Sequence, residues 1–157
     1  MENYLQVLEE SLYKKLDVLG RIETLCARQE QILSEEIVSE EAFDSSIEEK
    51  GVLIDELTKL DEGFETLYGH IKGQLAEGKE RYKVQIASLQ KKIAEVTEKS
   101  VAIRAQEARN KNLAENYFAK AREDLKKNRK SSRAALDYYR NMNKMQVVSP
   151  QFMDKKK

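Results

Sequence analysis

LQVLEESLYKKLDVLGRIETLCARQEQIL, residues 5–33, places Leu5, Leu8, Leu12, Leu16, Leu19, Ile22, Cys26 and Leu33 at steps of three and four, with Gln29 standing in the one missing place. An α-helix completes a turn in 3.6 residues, so side chains at this spacing share one side of it. A near-heptad stripe held for about four heptads predicts a helix over 2–35 that buries one long face against other helices. The fold class this implies is all-α, an elongated antiparallel three-helix bundle or coiled coil.

Working outward, SEEIVSEEAF interrupts the stripe, and Ser39 is the expected N-cap of a second helix, with Glu40 and Glu41 in its positive first turn. That helix, over 40–77, carries Phe43, Ile47, Ile54, Leu57, Leu60, Phe64, Leu67, Ile71 and Leu75. Gly51, Gly63, Gly69 and Gly73 lie inside it and imply close helix approach or local bends. Gly78 reads as a C′ glycine before a reversal. Leu75, Gly78, Tyr82 and Ile86 nevertheless keep the seven-residue phase, which leaves a continuous helix open.

The third helix, over 80–127, runs through Tyr82, Ile86, Leu89, Ile93, Val96, Ile103, Leu113, Tyr117, Ala121 and Leu125. Its stripe thins where Glu107 and Asn110 occupy positions expected to be apolar. At a rise of 1.5 Å per residue it exceeds helices of about 35 residues, so its last turns should overhang them. Residues 1–127 then form the bundle and 128–157 a basic C-terminal arm. Within the arm a short helix is expected over 132–145, capped by Ser131 or Ser132, and then a mobile tail after Pro150.

Composition bounds the function. The 157 residues hold 36% charged and 40% hydrophobic side chains, one proline and no tryptophan, which suits a helical domain. Net charge is zero, but residues 1–78 carry 19 acidic against 7 basic side chains and residues 79–157 carry 9 against 21. Acidic helices laid against a basic one would account for this, as would an acidic partner for the basic half. One cysteine forms no internal disulfide. MENYLQVLEE lacks the pattern of a signal peptide, and no run approaches the ~20 apolar residues of a membrane span. A cytoplasmic protein without membrane insertion is expected.

No catalytic, metal or cofactor-binding residues are expected. The lone histidine, His70, has no second imidazole near it in sequence, and CxxC, HExxH, GxxxxGK[ST] and GxGxxG are all missing. The cluster Lys126, Lys127, Arg129, Lys130 and Arg133 is a foothold for nucleic acid. The acidic first half competes for it, and no base-reading module surrounds it, so nucleic acid is not an expected partner.

IEEKGVLIDELTKLDEGFETLY, residues 47–68, resembles the second-helix segment of FlgN-type flagellar export chaperones, which are small, cytosolic, all-helical bacterial proteins. The Lys-Gly-x-Leu-Ile and Leu-Asp-x-Gly-Phe steps carry the likeness. The length, the Leu-rich first helix, the long third helix and the ending YYRNMNKMQVVSPQFMDKKK extend it in outline over the chain. The resemblance implies a protein that binds the C-terminal helical segments of hook–filament junction proteins, keeps them unassembled and delivers them to the type III export gate. It implies that the C-terminal third binds the client and that a tyrosine there contacts the gate. Tyr138 and Tyr139 both fit that role. FliT-type chaperones of the filament cap share this architecture and fit the same residues.

Such a task needs a spare apolar strip for helix-in-groove packing. Leu113, Tyr117, Phe118, Ala121, Leu125, Leu136, Tyr139 and Met142 supply one, with Met145 beyond. The same residues also suit folding back to cap the bundle, or pairing two copies. The chaperone reading expects a monomer or weak dimer. A coiled-coil scaffold, the alternative from another class, expects an obligate dimer burying Tyr117 to Met145.

Overall fold

Apolar spacing sets the helices, and a local cap is visible at the start of the second. The computed structural model describes residues 1–124 and 129–143, which form α1 (Glu2–Ser34), α2 (Glu40–Glu77), α3 (Lys83–Asp124) and α4 (Arg129–Asn143). There is no strand among the described residues. The Ser39 hydroxyl accepts from the Ala42 amide at 3.1 Å, so one orphan donor of the first turn of α2 is satisfied by its N-cap. α4 starts at Arg129, ahead of both serines expected to cap it. A cap is worth about 1 kcal/mol, a preference that docking of the helix face can outweigh.

The chain reverses between α2 and α3. Lys50 and Glu107 are 57 residues apart in sequence and 2.7 Å apart in space; a continuous helix would separate them by roughly 85 Å. Gly78 does not adopt the left-handed conformation of a C′ glycine, because no glycine has a positive φ. Its amide still bonds to the Gln74 carbonyl at 2.9 Å, and Tyr82 bonds back to Gly78 at 3.0 Å. Space is what calls for glycine here: a Cβ would sit 3.0 Å from the ring of Tyr82. Gly51, Gly63, Gly69 and Gly73 have nothing within 4 Å of an added Cβ, so close helix approach does not explain them.

The helices contribute to two compact units. The first comprises Met1–Gly20 and Glu56–Val101. Leu5, Leu8, Leu12 and Leu19 of α1 are buried there with Leu57, Phe64 and Ile71 of α2 and Leu89, Ile93 and Val96 of α3. Lys15 joins α1 to Asp61 of α2 at 2.5 Å. Glu9 accepts from Ser88 of α3 at 2.8 Å and pairs with Lys92 at 3.3 Å. The Ser88 hydroxyl, then Lys92, hold the Glu9 carboxyl below its ordinary range.

The second unit comprises Arg21–Asp55 and the described part of Ala102–Met145. Ile22, Cys26 and Leu33 of α1 are buried with Phe43 and Ile47 of α2, Ile103 and Phe118 of α3, and Tyr138, Tyr139 and Met142 of α4. Phe43 and Phe118 meet edge to face at 5.6 Å, and the Tyr117 hydroxyl donates to Glu40 at 2.6 Å. Tyr117 and Phe118 of α3 thus meet the first turn of α2, and α3 runs on to Asp124. The helix of the segment expected as a basic arm from 128 is grouped with this unit. α4 packs into this unit, because Ala135, Tyr138, Tyr139 and Met142 fall at i, i+3, i+4 and i+7 and present one face. Residues 144–157 and their expected tail lie outside the described residues.

Candidate binding groove and the polar cluster beneath it

The stripe of α3 continues through its apparent gap at the same three-and-four spacing. Ser100, Glu107 and Asn110 are all buried, as is Gln29, the missing place on α1. On α2 the stripe skips from Ile47 to Ile54, and Lys50, fully buried, fills the interval. Polar residues at core positions of three helices must find one another, because an unpartnered buried charge costs several kcal/mol.

Lys50, Glu107, Asn110 and Gln29 do so in the second unit, whereas the buried Ser100 hydroxyl, in the first, has no hydrogen-bond partner among the described residues. Lys50 Nζ donates to Glu107 Oε1 at 2.7 Å and to Gln29 Oε1 at 2.8 Å, with Cys26 Sγ at 4.0 Å. Asn110 Nδ2 donates to the Cys26 carbonyl at 2.9 Å and to Gln29 Oε1 at 3.1 Å. Gln29 Nε2 donates to Ser46 Oγ at 2.9 Å, and Ser46 donates to the Phe43 carbonyl at 2.6 Å. Asn110 Oδ1 accepts from Gln106 at 2.9 Å. One cation and one anion are therefore enclosed with a satisfied set of neutral dipoles, the condition under which a buried pair is tolerated.

α4 closes the cluster. The Tyr138 hydroxyl donates to Glu107 Oε2 in a short hydrogen bond, and its ring lies 4.5 Å from Lys50 Nζ. Tyr139 donates to Gln29 Oε1 at 3.3 Å and meets Tyr138 edge to face at 5.3 Å. Burial, with the Glu107 carboxylate next, pushes both phenols well above their ordinary range. Burial also pushes the Cys26 thiol up to about 12, which makes it an inert, protonated side chain at neutral pH.

The two tyrosines are thus unequal. Tyr138→Phe removes a bond to a charged acceptor and should cost about 1.5–3 kcal/mol. Tyr139→Phe removes a long bond to an oxygen already shared by Lys50 and Asn110 and should cost less than about 1 kcal/mol. Urea unfolding of both variants checks this, and equal losses would contradict it.

Above the cluster, α3 and α4 leave a groove of about 380 Å³ lined by Ala114, Phe118 and Ala119, with the polar Glu115, Asn116 and Arg122, on one side and by Ala135, Leu136 and Tyr139 on the other. Small side chains at 114, 119 and 135 open it. Of the strip expected from the sequence, Phe118, Leu136 and Tyr139 line this groove, and Leu136 is 48% exposed. Leu113, Tyr117 and Ala121 are half-buried. Met142 is buried and lines a smaller cavity of about 200 Å³ with Arg104, Lys111 and Glu107. Leu125 lies outside the described residues.

Tyr138 and Tyr139, both candidates for the gate contact that the resemblance implies, are 5% and 4% exposed. With α4 seated, neither is presented to another protein. Within the basic cluster of the sequence, Lys126 and Lys127 lie outside the described residues, whereas Arg133 is exposed. Among the described residues no group of His, Cys, Asp or Glu is arranged to hold a metal ion, and no helix is long and apolar enough to cross a membrane. Comparison with protein-family models, characterised proteins and solved structures found no match for the chain.

The sequence signal for Lys50 was the interval in the α2 stripe. Lys50 belongs to the Lys-Gly-x-Leu-Ile step and Asp61 to the Leu-Asp-x-Gly-Phe step. The two short motifs on which the family resemblance rests each supply one member of an ion pair between helices.

Proposed function

We propose that the protein is a cytosolic, non-catalytic helix-binding chaperone of the FlgN type, which holds C-terminal helical segments of hook–filament junction proteins before their delivery to a type III export gate. One observation carries the reading: the groove between α3 and α4, mostly apolar with Glu115, Asn116 and Arg122 also on its lining, and open at Leu136. Its volume falls within the ~300–1,000 Å³ of ligand-binding clefts, enough to take anchor side chains from an amphipathic helix. The family resemblance at residues 47–68 names the client class. Recognition by a FliT-type filament-cap chaperone would use the same groove. Gate contact through Tyr138 or Tyr139 belongs to a state in which α4 has left its seat. A coiled-coil scaffold is the alternative, and it requires a tight dimer across the same face.

Leu136→Glu with Ala119→Glu tests the groove without disturbing the core, since both positions are exposed. Calorimetric titration with synthetic C-terminal helices of a junction protein should show affinity reduced at least ~10-fold, the order expected from placing charge where apolar area is buried. Far-ultraviolet circular dichroism should be unchanged. Undiminished affinity would remove the groove from the proposal. Light scattering that shows an obligate dimer would favour the scaffold.

A further inference from the structure

A buried ion pair is a poor way to stabilise a helical core. Desolvating both ions offsets most of their attraction, and well-packed apolar replacements are often equally stable or more so. Lys50 and Glu107 therefore call for an account other than stability. Their partners point to one. α1 contributes Gln29 and the Cys26 carbonyl, α2 contributes Lys50, α3 contributes Glu107 and Asn110, and α4 contributes Tyr138.

Tyr138 engages both ions at once, through its hydroxyl on Glu107 and its ring against Lys50. Apolar contacts alone would fix α4 weakly, since its buried face repeats every three or four residues. A shift of α4 by one turn would bring Ala134, Ala135, Asn141 or Met142 to the place of Tyr138. Only Asn141 among them carries a side-chain donor, and it has no ring to set against the ammonium group. The ion pair accepts one register of α4 and rejects its neighbours.

We propose that the buried Lys50–Glu107 pair is a positioning device for α4: it sets the register of that helix through Tyr138 and so fixes the α4 wall of the groove, Ala135, Leu136 and Tyr139. The importance of that wall rests on the groove reading above. The register claim itself does not, and its test contains no client.

The chain's single cysteine supplies the readout. Cys26 is free and fully buried beside Lys50, in the same cluster that Tyr138 closes. A thiol reagent such as 5,5′-dithiobis(2-nitrobenzoate) then reports local opening of the unit in the full-length protein under native conditions. The wild type should label slowly. Lys50→Met with Glu107→Leu should label at least ~10-fold faster while its thermal midpoint stays equal or rises, because α4 loses its key and the core loses two desolvated charges.

Tyr138→Phe should also accelerate labelling in the wild type, yet add little in the Lys50→Met, Glu107→Leu background, since the acceptor is already gone. Three results would overturn the inference. Labelling of the double variant could match the wild type. Its midpoint could fall in step with faster labelling, which makes the pair merely stabilising. Tyr138→Phe could act equally in both backgrounds, which uncouples the phenol from the pair.

Discussion

Lys50→Met alone should lower the free energy of unfolding by about 3–5 kcal/mol, the cost of leaving one member of a buried pair without its partner. The Glu107 side chain is 4% exposed, so water cannot replace the ammonium group. Gln29 Oε1 loses a donor in the same change. For a chain of this size the thermal midpoint should fall by about 10 °C or more. Lys15→Met provides the internal comparison. Its partner Asp61 is 27% exposed and can rehydrate, so the loss should be nearer 1 kcal/mol, the upper end for accessible pairs. Urea titrations of the two variants side by side decide the matter. A Lys50→Met loss no larger than that of Lys15→Met would mean that the cluster is open to solvent.

Alkaline unfolding should be steep and should begin near pH 9. The Cys26 thiol ionises at 9.0 in an unfolded chain and at about 12 when folded. Tyr138 and Tyr139 are likewise raised from 10.0 in the fold. A raised pKa means that the folded state holds its proton after the unfolded state has released it. The stability linked to each group is therefore complete below its unfolded value and drains as pH rises toward its folded value. Each group contributes a slope of about 1.4 kcal/mol per pH unit within its window. Cys26→Ser should remove the earliest part, between pH 9 and 10, and Tyr138→Phe should soften the slope above pH 10. Circular dichroism followed from pH 7 to 12 tests this. A flat signal through pH 11 would mean that the three groups are less enclosed than their positions imply.

The helices were legible because their stripes are regular, and Ser39 was legible because capping is local chemistry. The misreadings share one cause. Glu107 and Asn110 looked like a thinning of the α3 stripe, when the stripe had changed from apolar to polar without losing its phase. Gln29 and the interval at Lys50 were the matching signs on α1 and α2. No single helix reveals that four such interruptions will meet, because their meeting depends on register between distant segments.

The same limit hid the docking of α4, a helix that was itself expected over 132–145. Tyr138 and Tyr139 read as unclaimed surface because their acceptors, Glu107 and Gln29, sit 31 and 110 residues away. The groove lining was half visible, since large residues such as Phe118 and Leu136 draw notice while Ala114, Ala119 and Ala135 act through what they leave unfilled. Gly78 was read as a left-handed stop because that is the commonest use of glycine there. The room taken by the Tyr82 ring, four residues on, is a local contact that the left-handed reading passed over.

A protein that binds amphipathic helices, as proposed above, must also avoid trading its own for a stranger. A seam made only of leucine and isoleucine would accept any heptad intruder in place of α3. With Lys50 paired to Glu107 at one level, an invading helix without a carboxylate there would strand a naked charge, which disfavours the exchange.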